Sequence, residues 1–474
     1  MLTRRALVAS APALLLGKSK AKQPNIVWYM PDQWRGMALG SMGDVNAKTP
    51  NLDRLAEEGF QFRNTIANSP VCCPARAILM TGQYAHKNGM TANDLRLNED
   101  SLTMAKILGK AGYRTAFIGK WHLDGGPRMP GFVPPGPRRL GFEYWAANEC
   151  SHDHFHAQYF RDDSTPHLMN KFEAEGWTDL AIEFLQSHKN DARPFFLVIA
   201  PGPPHDPYGA PQQYVDQYDP EKIRLRGNYN EIAGGPTRKD IANYYAACTA
   251  VDEQFGRFDK ALAANNHRDD TALFFFSDHG DMLGSHGLRL KRKPHEESIR
   301  IPGIIRYPRA VKKGRSTEGM MSHIDIPPTT LGLCDIEPPS AFQGMNLMHA
   351  LTGKGKGADS RPESYLQIFG PYAGDATPAG WRGVRTDRYT YARFIDKPWV
   401  LFDNEKDPFQ RKNLIGDESV RLTVLPDLDA RIARQMQKTG DSWKFNWSAP
   451  VEDDGRLYKD RMYRSVDEYL GARP

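Results

Sequence analysis

The body of the chain lacks any long hydrophobic run. Hydrophobic residues make up 40% of the 474 residues and charged residues 25%, a composition typical of globular proteins. Past the N-terminus, no apolar stretch approaches the roughly 18 residues that a membrane-spanning helix needs. We therefore expect no membrane span in the mature protein, and either one large domain or two of ordinary size.

Cysteine is also scarce. The chain has five cysteines, at Cys72, Cys73, Cys150, Cys248 and Cys334. Five are too few for a fold held together by disulfides at this length. Cys72 and Cys73 are neighbours, and vicinal cysteines rarely bridge each other without strain. This pair therefore needs another explanation.

Outside its first residues, the chain has no excess of charge of either sign. The formal net charge is +5, and five basic residues without a single acid lie within residues 1–22. The remainder is thus neutral overall, which gives no support for a nucleic-acid partner. Any positive charge that matters for function must be local. The chain also contains no internal repeat and no low-complexity tract.

Residues 1–22 have the pattern of a signal peptide. Arg4 and Arg5 precede a short apolar stretch from Ala6 to Leu16, which is too short to span a membrane. The adjacent arginines favour a twin-arginine signal, which would export a folded protein. We therefore expect an exported protein, periplasmic or extracellular. The alternative interpretation is a disordered basic tail.

Short buried runs alternate with helical segments along the rest of the chain. Strands are predicted at Asn25–Met30, Thr115–Ile118, Phe195–Ala200 and Ala272–Phe276. Helices are predicted after Thr49-Pro50 and over Leu102–Ala111 and Trp177–His188. This alternation predicts an α/β fold with a large, mostly parallel sheet flanked by helices.

The pattern changes from about Asp359. Trp381–Arg393 alternates as antiparallel strands do, and Val400–Asp403 follows it. We predict a catalytic domain over 23–358 and a smaller C-terminal antiparallel-sheet subdomain over 359–474. The Pro- and Gly-rich stretch Gly126–Arg139 is predicted to be a loop.

Four polar clusters lie where predicted strands end or helices begin, which is the edge of a parallel sheet where active sites collect. They are Asp32-Gln33, Cys72–Arg76, Gly119–His122 and Asp278–Asp281. A cysteine at a helix start beside an arginine would be reactive, and acid with imidazole at a strand end typically binds a divalent cation. Each cluster also has a structural interpretation, as a helix with two buried thiols, a turn, or a solvated side chain.

Together these clusters resemble the motifs of the sulfatase family in the alkaline-phosphatase superfamily. The motif C-x-P-x-R that begins at Cys72, followed by a helix and Thr81-Gly82, is similar to the sulfatase signature. Order and spacing agree from Asn25 to about Leu414 in NIVWYMPDQ, TPNLDRLAEEG, CCPARAILMTGQY, GKWHL, PPHDPY, SDHGDMLGSHG and KRKPHEESIRIP. The resemblance implies an alkaline-phosphatase-like fold and hydrolysis of aryl or carbohydrate sulfate esters.

The resemblance also implies a role for each site residue. A formylglycine-generating enzyme would oxidise Cys72 to formylglycine, whose hydrate attacks the substrate sulfur. Arg76 would hold the hydrate, His122 would act as base, and His205, alone or with Lys291, would protonate the leaving alcohol. The catalytic set is Cys72, Arg76, Lys120, His122, His205 and Lys291. The metal ligands are Asp32, Gln33, Cys72, Asp278 and His279.

The chain departs from the family pattern at three places. Gln33 stands where many members have a second acid, His279 where Asn is common, and Ala75 where Ser is usual. Calcium is the expected cation, with manganese as the alternative because imidazole suits transition metals. Phosphonate monoester hydrolases have similar combinations of residues at these three places. Hydrolysis of phosphonate monoesters or phosphodiesters at the same site therefore stays open. A catalytically silent binder of sulfated glycans would not need the full catalytic set.

The substrate is expected to be a small-molecule or glycan sulfate ester, whose identity no motif encodes. Ser151–His156 (SHDHFH) is expected to border the pocket together with the Gly126–Arg139 loop. A surface loop with solvated histidines is the alternative for SHDHFH. Trp381 is expected in the core.

Overall fold

The computed structural model describes residues 23–125, 130–353, 359–370 and 380–443. The predicted signal peptide, the start of the Gly126–Arg139 loop and residues 444–474 of the predicted C-terminal subdomain lie outside the described residues. In the described part of that loop, Pro137–Arg139 forms one short 3-10 turn.

The strands in the described residues are β1 Asn25–Tyr29, β2 Phe60–Ile66, β3 Arg114–Lys120, β4 Tyr144–Asn148, β5 Gln158–Tyr159, β6 His167–Leu168, β7 Phe195–Ala200, β8 Thr271–Phe276, β9 Arg300–Ile301, β10 Gly303–Arg306, β11 Arg315–Ser322, β12 Glu363–Ile368, β13 Trp381–Thr386, β14 Tyr389–Arg393 and β15 Pro398–Asp403. The α-helices are α1 Pro50–Glu58, α2 Cys72–Thr81, α3 Ala85–Asn88, α4 Met104–Lys110, α5 Glu173–Ser187, α6 Gln212–Val215, α7 Arg238–Ala264, α8 Glu296–Ile299, α9 Ile326–Leu333, α10 Met348–Thr352, α11 Glu418–Thr423 and α12 Leu425–Thr439.

The main sheet has nine strands, of which eight run in the order β11-β2-β10-β8-β1-β7-β3-β4, while β9 pairs with β2. The neighbours of β1 and β3 and the β11–β2 pair are parallel, whereas β10 is antiparallel to both β2 and β8. The predicted mostly parallel sheet is confirmed.

The apolar runs form strands because both faces of the sheet are covered. Along β1, Ile26 and Trp28 lie in one hydrophobic core and Val27 and Tyr29 lie in the other. Side chains that alternate between two dry faces need no polar positions, which is why these strands read as unbroken apolar segments.

A second sheet, antiparallel throughout, has the order β12-β13-β14-β15. The prediction of antiparallel strands in this region is confirmed. Tyr365, Trp381 and Tyr391 of this sheet belong to the same hydrophobic core as Trp28 of the main sheet. The two sheets therefore share one core, and Trp381 is fully buried in it.

Two predicted boundaries at polar clusters were wrong. Lys120 does not follow its strand but ends it, because β4 is long enough to pair Asn148 with it. The helix that carries Arg76 already begins at Cys72, with extended Val71 as its N-cap. Cys72 is thus a helical residue in the first turn of α2.

Among the described residues, no helix is both long and apolar enough to cross a membrane.

Candidate active site

The carboxyl ends of four adjacent strands bring the predicted residues to one edge of the main sheet. Asp278 follows β8, Asp32 follows β1, His205 lies beyond β7 and Lys120 ends β3. Parallel neighbours end together, so residues far apart in sequence meet there.

Arg76 crosses this edge from α2 and ties three strands together. Its guanidinium donates to Asp278 Oδ2 at 3.1 Å, to Asp32 Oδ2 at 3.3 Å and to the Lys120 carbonyl at 2.5 Å. The Lys120 ammonium donates to the same Asp32 oxygen at 2.6 Å. Two cations and two carboxylates thus lie buried together, which is tolerable only because each is paired.

Cys72 lies in the middle of these charges. Its Sγ is 3.2 Å from His279 Nε2, and one donor atom each of Asp32, Cys72, Asp278 and His279 lies within 4.8 Å of the others. Burial raises the pKa of the thiol, but the positive charges of Lys291, Lys120 and His279 outweigh it and hold that pKa well below its usual value. The group at position 72 is therefore electrostatically favoured as an anion.

The two carboxylates of this cluster differ in their acidity. Burial and Cys72 raise the pKa of Asp32, yet Lys120, His205 and His279 lower it further, so it lies well below its usual value. Burial and the nearby Asp32 charge raise the pKa of Asp278. The pair concentrates negative charge where a cation would relieve it.

Lys291 and His205 form a second group at the same edge. Lys291 Nζ lies 2.7 Å from His205 Nε2 and donates to Gln33 Oε1 at 2.5 Å. Because an ammonium only donates, His205 Nε2 must accept, and its proton lies on Nδ1, 2.6 Å from the Asp206 carbonyl. The structure brings both predicted residues together as a hydrogen-bonded pair.

Gln33 joins this second group rather than pointing its carbonyl at the four-residue cluster. Its amide nitrogen donates to Asp281 Oδ2 at 2.8 Å and to Asp206 Oδ1 at 3.1 Å. Since Lys291 occupies the carbonyl oxygen, ligation of a metal by Gln33 would require that contact to be exchanged. Its role as a ligand stays a prediction.

His122 completes the predicted set. Its Nε2 is 3.0 Å from Asp94 Oδ1 and the residue is buried. Burial lowers the pKa of His122, but Cys150, Cys73 and Asp94 raise it more, so its pKa lies well above the usual value. The imidazole is therefore held protonated beside Asp94.

Several polar residues at this edge carried no assigned role in the sequence analysis. They are Asp94, His152, His154, Asp206, Tyr208 and Asp281. Asp281 and Asp206 stand inside the motifs SDHGD and PPHDPY, so proximity to assigned residues could have indicated them. Asp94 follows no strand and carries no motif signal, and its position depends on the loop between α3 and α4.

The prediction that SHDHFH borders the pocket holds for part of it. His152 stacks on His205 with ring centroids 4.2 Å apart, and His154 contacts the His205 carbonyl at 2.7 Å. His156, in contrast, is exposed, and among the described residues its hydrogen bonds stay within its own loop.

Comparison with known proteins decides the family. The family model "Sulfatase" matches residues 24–336, about two thirds of the chain. The chain belongs to the sulfatase family. A second model, "N-sulphoglucosamine sulphohydrolase, C-terminal", matches residues 284–438. As a sulfatase the protein is a sulfuric ester hydrolase of the alkaline-phosphatase superfamily, as the motifs predicted.

Relatives of this sulfatase cover most of its length. It is 39% identical to the ulvan-active sulfatase of Formosa agariphila over 428 residues, which are 89% of this chain and 83% of that protein. It is 27% identical to the N-acetylglucosamine-6-O-sulfatase of Bacteroides thetaiotaomicron, with 84% of each chain covered.

Solved structures agree on the fold. The sulfatase-family protein yidJ from Bacteroides fragilis has a TM-score of 0.80 and 34% identity, covering 90% of this chain and 98% of its own. The phosphonate monoester hydrolase of Agrobacterium radiobacter, at 24% identity and a TM-score of 0.72, covers 88% of this chain and 96% of its own and shares the fold.

Proposed function

We propose that this sulfatase hydrolyses aryl or carbohydrate sulfate esters with a formylglycine formed from Cys72 and a bound divalent cation. One observation carries the proposal. Cys72 begins helix α2 at the carboxyl edge of the sheet, and paired carboxylates and cations surround its side chain. A structural cysteine would lie in apolar surroundings, as Cys248 and Cys334 do in the two cores.

The donor atoms fit a divalent cation. Asp32 Oδ1 is buried without a hydrogen-bond partner among the described residues, and an orphaned carboxylate oxygen is costly unless something binds it. Asp32, Asp278 and His279 would hold the cation together with the oxygen of a formylglycine at position 72. Such a cation would lower the pKa of a bound hydroxyl and neutralise sulfate oxygens. The oxygen-rich set favours calcium, and the imidazole keeps manganese as the alternative.

The buried cations give the site its affinity for a sulfate group. Arg76, Lys120 and Lys291 all direct N–H donors toward this edge. Preorganised donors stabilise the negative charge that develops on sulfate oxygens in the transition state. The aldehyde hydrate of formylglycine would supply the nucleophile that no unmodified side chain at position 72 provides.

The leaving alcohol must receive a proton. Lys291 and His205 share a hydrogen bond at Nε2, so this pair holds an exchangeable proton at the mouth of the site. We assign leaving-group protonation to the pair. His122, fixed by Asp94 and next to residue 72, is assigned the role of base there. Because its surroundings favour the imidazolium, it must release a proton before it accepts one from residue 72.

The maturation and export steps complete the proposal. The formylglycine-generating enzyme would be the partner that modifies Cys72, and residues 1–22 would direct the protein to the periplasm or the extracellular space.

Mass spectrometry of the tryptic peptide Asn64–Arg76, NTIANSPVCCPAR, tests the central step. In a host that contains the formylglycine-generating enzyme, we expect one thiol replaced by an aldehyde, with fragment ions placing it at residue 72. Two intact thiols, in a host that matures a control sulfatase, would contradict the proposal.

The second candidate is a phosphonate monoester or phosphodiester hydrolase. The observation that favours it is a 28% identical relative, the multifunctional alkaline phosphatase superfamily protein PehA of Trinickia caryophylli, of which 84% is covered. Paired assays with one aryl sulfate and the matching aryl phosphonate separate the two candidates.

A further inference from the structure

Two loops meet beside the Lys291–His205 pair, to which we assign protonation of the leaving alcohol. One, residues 149–157, follows β4, and the other, residues 201–211, follows β7. They are joined by the stacked rings of His152 and His205, whose planes differ by 18°, and by the contact of His154 Nε2 with the His205 carbonyl. If the Lys291–His205 pair protonates the leaving alcohol, the alcohol part of the substrate would lie beside these two loops.

His152 presents a hydrogen-bond donor there. Its Nε2 lies 3.4 Å from the ammonium of Lys120, which can only donate, so Nε2 accepts and the ring proton lies on Nδ1. Among the described residues, that Nδ1 has no hydrogen-bond partner, and the side chain is half-buried. His152 therefore offers one unused N–H beside the proton-donating pair.

Asp206 presents a hydrogen-bond acceptor next to the same His205 ring. Its Oδ1 accepts from Gln33 Nε2 at 3.1 Å and lies 3.3 Å from His205 Nδ1. Within the described part of the chain, Oδ2 has no partner, and the side chain is 36% exposed. Burial raises the pKa of Asp206, but His205, Lys291 and Gln33 lower it below its usual value, so the carboxylate is ionised.

We propose that His152 Nδ1 and Asp206 Oδ2 form a leaving-group subsite that recognises a hydroxyl next to the sulfate ester. A hydroxyl can accept from the imidazole and donate to the carboxylate at the same time, whereas a methylene can do neither. A second sulfate or a carboxylate at that position would be repelled by Asp206. The substrate class is thus a sugar ring with a free hydroxyl adjacent to a single sulfate, and this inference rests on the proposed sulfatase function.

A cycle of substrate and enzyme variants tests the inference. The probes are trans-cyclohexane-1,2-diol monosulfate and cyclohexyl sulfate, which differ by one hydroxyl. We expect the matured enzyme to prefer the diol monosulfate in kcat/KM by about 10- to 100-fold, the usual range for a hydrogen bond to a charged group. In Asp206→Ala this preference should shrink to about threefold or less, because the cycle isolates the contact between the two deleted groups.

Two further variants sharpen the test. His152→Phe keeps a ring that can stack on His205 but lacks the Nδ1 donor, and it should also reduce the preference. Asp153→Ala removes a carboxylate on the same loop whose partners in the described part of the chain are Phe155 and His156, and it should leave the preference unchanged. Asp206→Asn should raise the kcat/KM for cyclohexane-1,2-diol disulfate relative to the monosulfate.

The outcomes separate this inference from the proposed function. A matured wild-type enzyme without the hydroxyl preference, or matured variants that keep it in full, would overturn the subsite while leaving sulfatase activity in place. Failure of the matured enzyme to hydrolyse either probe and 4-nitrophenyl sulfate would overturn the proposed function and the subsite together.

Discussion

Two adjacent cysteines show how strongly one residue's position decides its chemistry. Cys72 faces cations and its pKa is lowered, whereas burial raises the pKa of Cys73 to about 11, despite His122 nearby. Cys73 lies in the hydrophobic core and its sulfur accepts the Asp94 backbone N–H at 3.3 Å. A common position at one helix start does not separate the two cysteines. In the sequence only the C-x-P-x-R spacing, which begins at Cys72, does so.

Substitution of each cysteine by alanine should therefore have different effects. Cys72→Ala should abolish turnover, because position 72 would carry no nucleophile. Cys73→Ala should retain formylglycine and activity while lowering the free energy of unfolding by about 1–2 kcal/mol for the small cavity. Aryl sulfate assays and urea denaturation measure both effects, and an active Cys72→Ala variant would rule out the proposed nucleophile.

Replacement of His205 should matter most for substrates with poor leaving groups. In His205→Asn, we expect the kcat for an alkyl sulfate to fall by about 10²- to 10⁴-fold, since the alcohol leaves only if it is protonated. A 4-nitrophenyl sulfate, whose leaving group is stable as an anion, should lose far less. Equal losses for both substrates would show that His205 does not protonate the leaving group.

At the scale of elements, the C-terminal sheet helps to hold the segment that carries Lys291. This Lys291 segment, residues 284–298, has no strand of its own. Trp381 donates to the Arg292 carbonyl at 3.1 Å, and Arg385 pairs with Glu296 at 2.9 Å. Both contacts come from β13, so that strand helps to position Lys291, to which we assign a part in leaving-group protonation.

Loss of the buried pair between Arg385 and Glu296 should be costly. Arg385→Met leaves the buried Glu296 with Arg300, 3.3 Å away, as its remaining cationic partner, and we expect a loss of about 3 kcal/mol in the free energy of unfolding together with reduced activity. The matched control is Arg388→Met, which breaks a more exposed pair with Asp403 and should cost about 0–1 kcal/mol. Chemical denaturation distinguishes them, and similar costs would contradict the anchoring role.

The same segment should make stability sensitive to acid. Burial lowers the pKa of His295 from 6.5 to about 3, and Arg226 and Asn228 outweigh burial to lower that of Glu297 from 4.5 to about 2. Both groups bind protons more readily in the unfolded chain, His295 between about pH 6.5 and 3 and Glu297 below about pH 4.5. Stability should therefore fall on acidification, by about 1.4 kcal/mol per pH unit for each group in its own range.

His295→Phe should make this acid dependence shallower between pH 6.5 and 4.5, because His295 Nδ1 has no partner to lose among the described residues and the ring packs on Phe402. His156→Gln, at an exposed position, serves as the control. Thermal unfolding at a series of pH values gives the slopes, and identical slopes for all three proteins would contradict the assignment.

Much of the architecture could be predicted because it rests on local patterns. Phe195–Ala200 was predicted residue for residue, since a strand buried on both faces is an unbroken apolar run. The polar residues that follow β1 and β8 were also identified, because polar side chains directly after a buried strand indicate the edge of the sheet where active sites collect. Lys120 was misplaced because the end of β3 depends on its pairing with β4. His152 and Asp206 lie within SHDHFH and PPHDPY, but the sequence could not assign them roles, because their contacts around His205 arise only when the two loops meet.

At the scale of the whole molecule, a bound cation would couple the site to global stability. Asp32, Asp278, His279 and Cys72 come from β1, β8 and α2 regions far apart in sequence, so a cation would cross-link elements that separate on unfolding. A ligand that binds only the folded state stabilises it in proportion to the logarithm of its concentration.

Removal of divalent cations should thus lower both activity and thermal stability. After dialysis against EDTA, we expect a lower Tm and loss of turnover, and both should return with added Ca²⁺ or Mn²⁺. Asp278→Asn should have a low Tm from the start and respond little to EDTA. Full activity in metal-free protein, verified by elemental analysis, would remove the cation from the proposal.

The central position of β1 has a consequence for the making of the protein. This strand leaves the ribosome among the first described residues, but one of its two neighbours, β8, begins at Thr271. At a synthesis rate of about 5–20 residues per second, β1 would wait for roughly 10–50 seconds before both of its edges are covered. During that interval, the apolar strand that precedes Asp32 has an unpaired edge and can form non-native contacts. We therefore expect protection of the nascent chain to matter most for this segment.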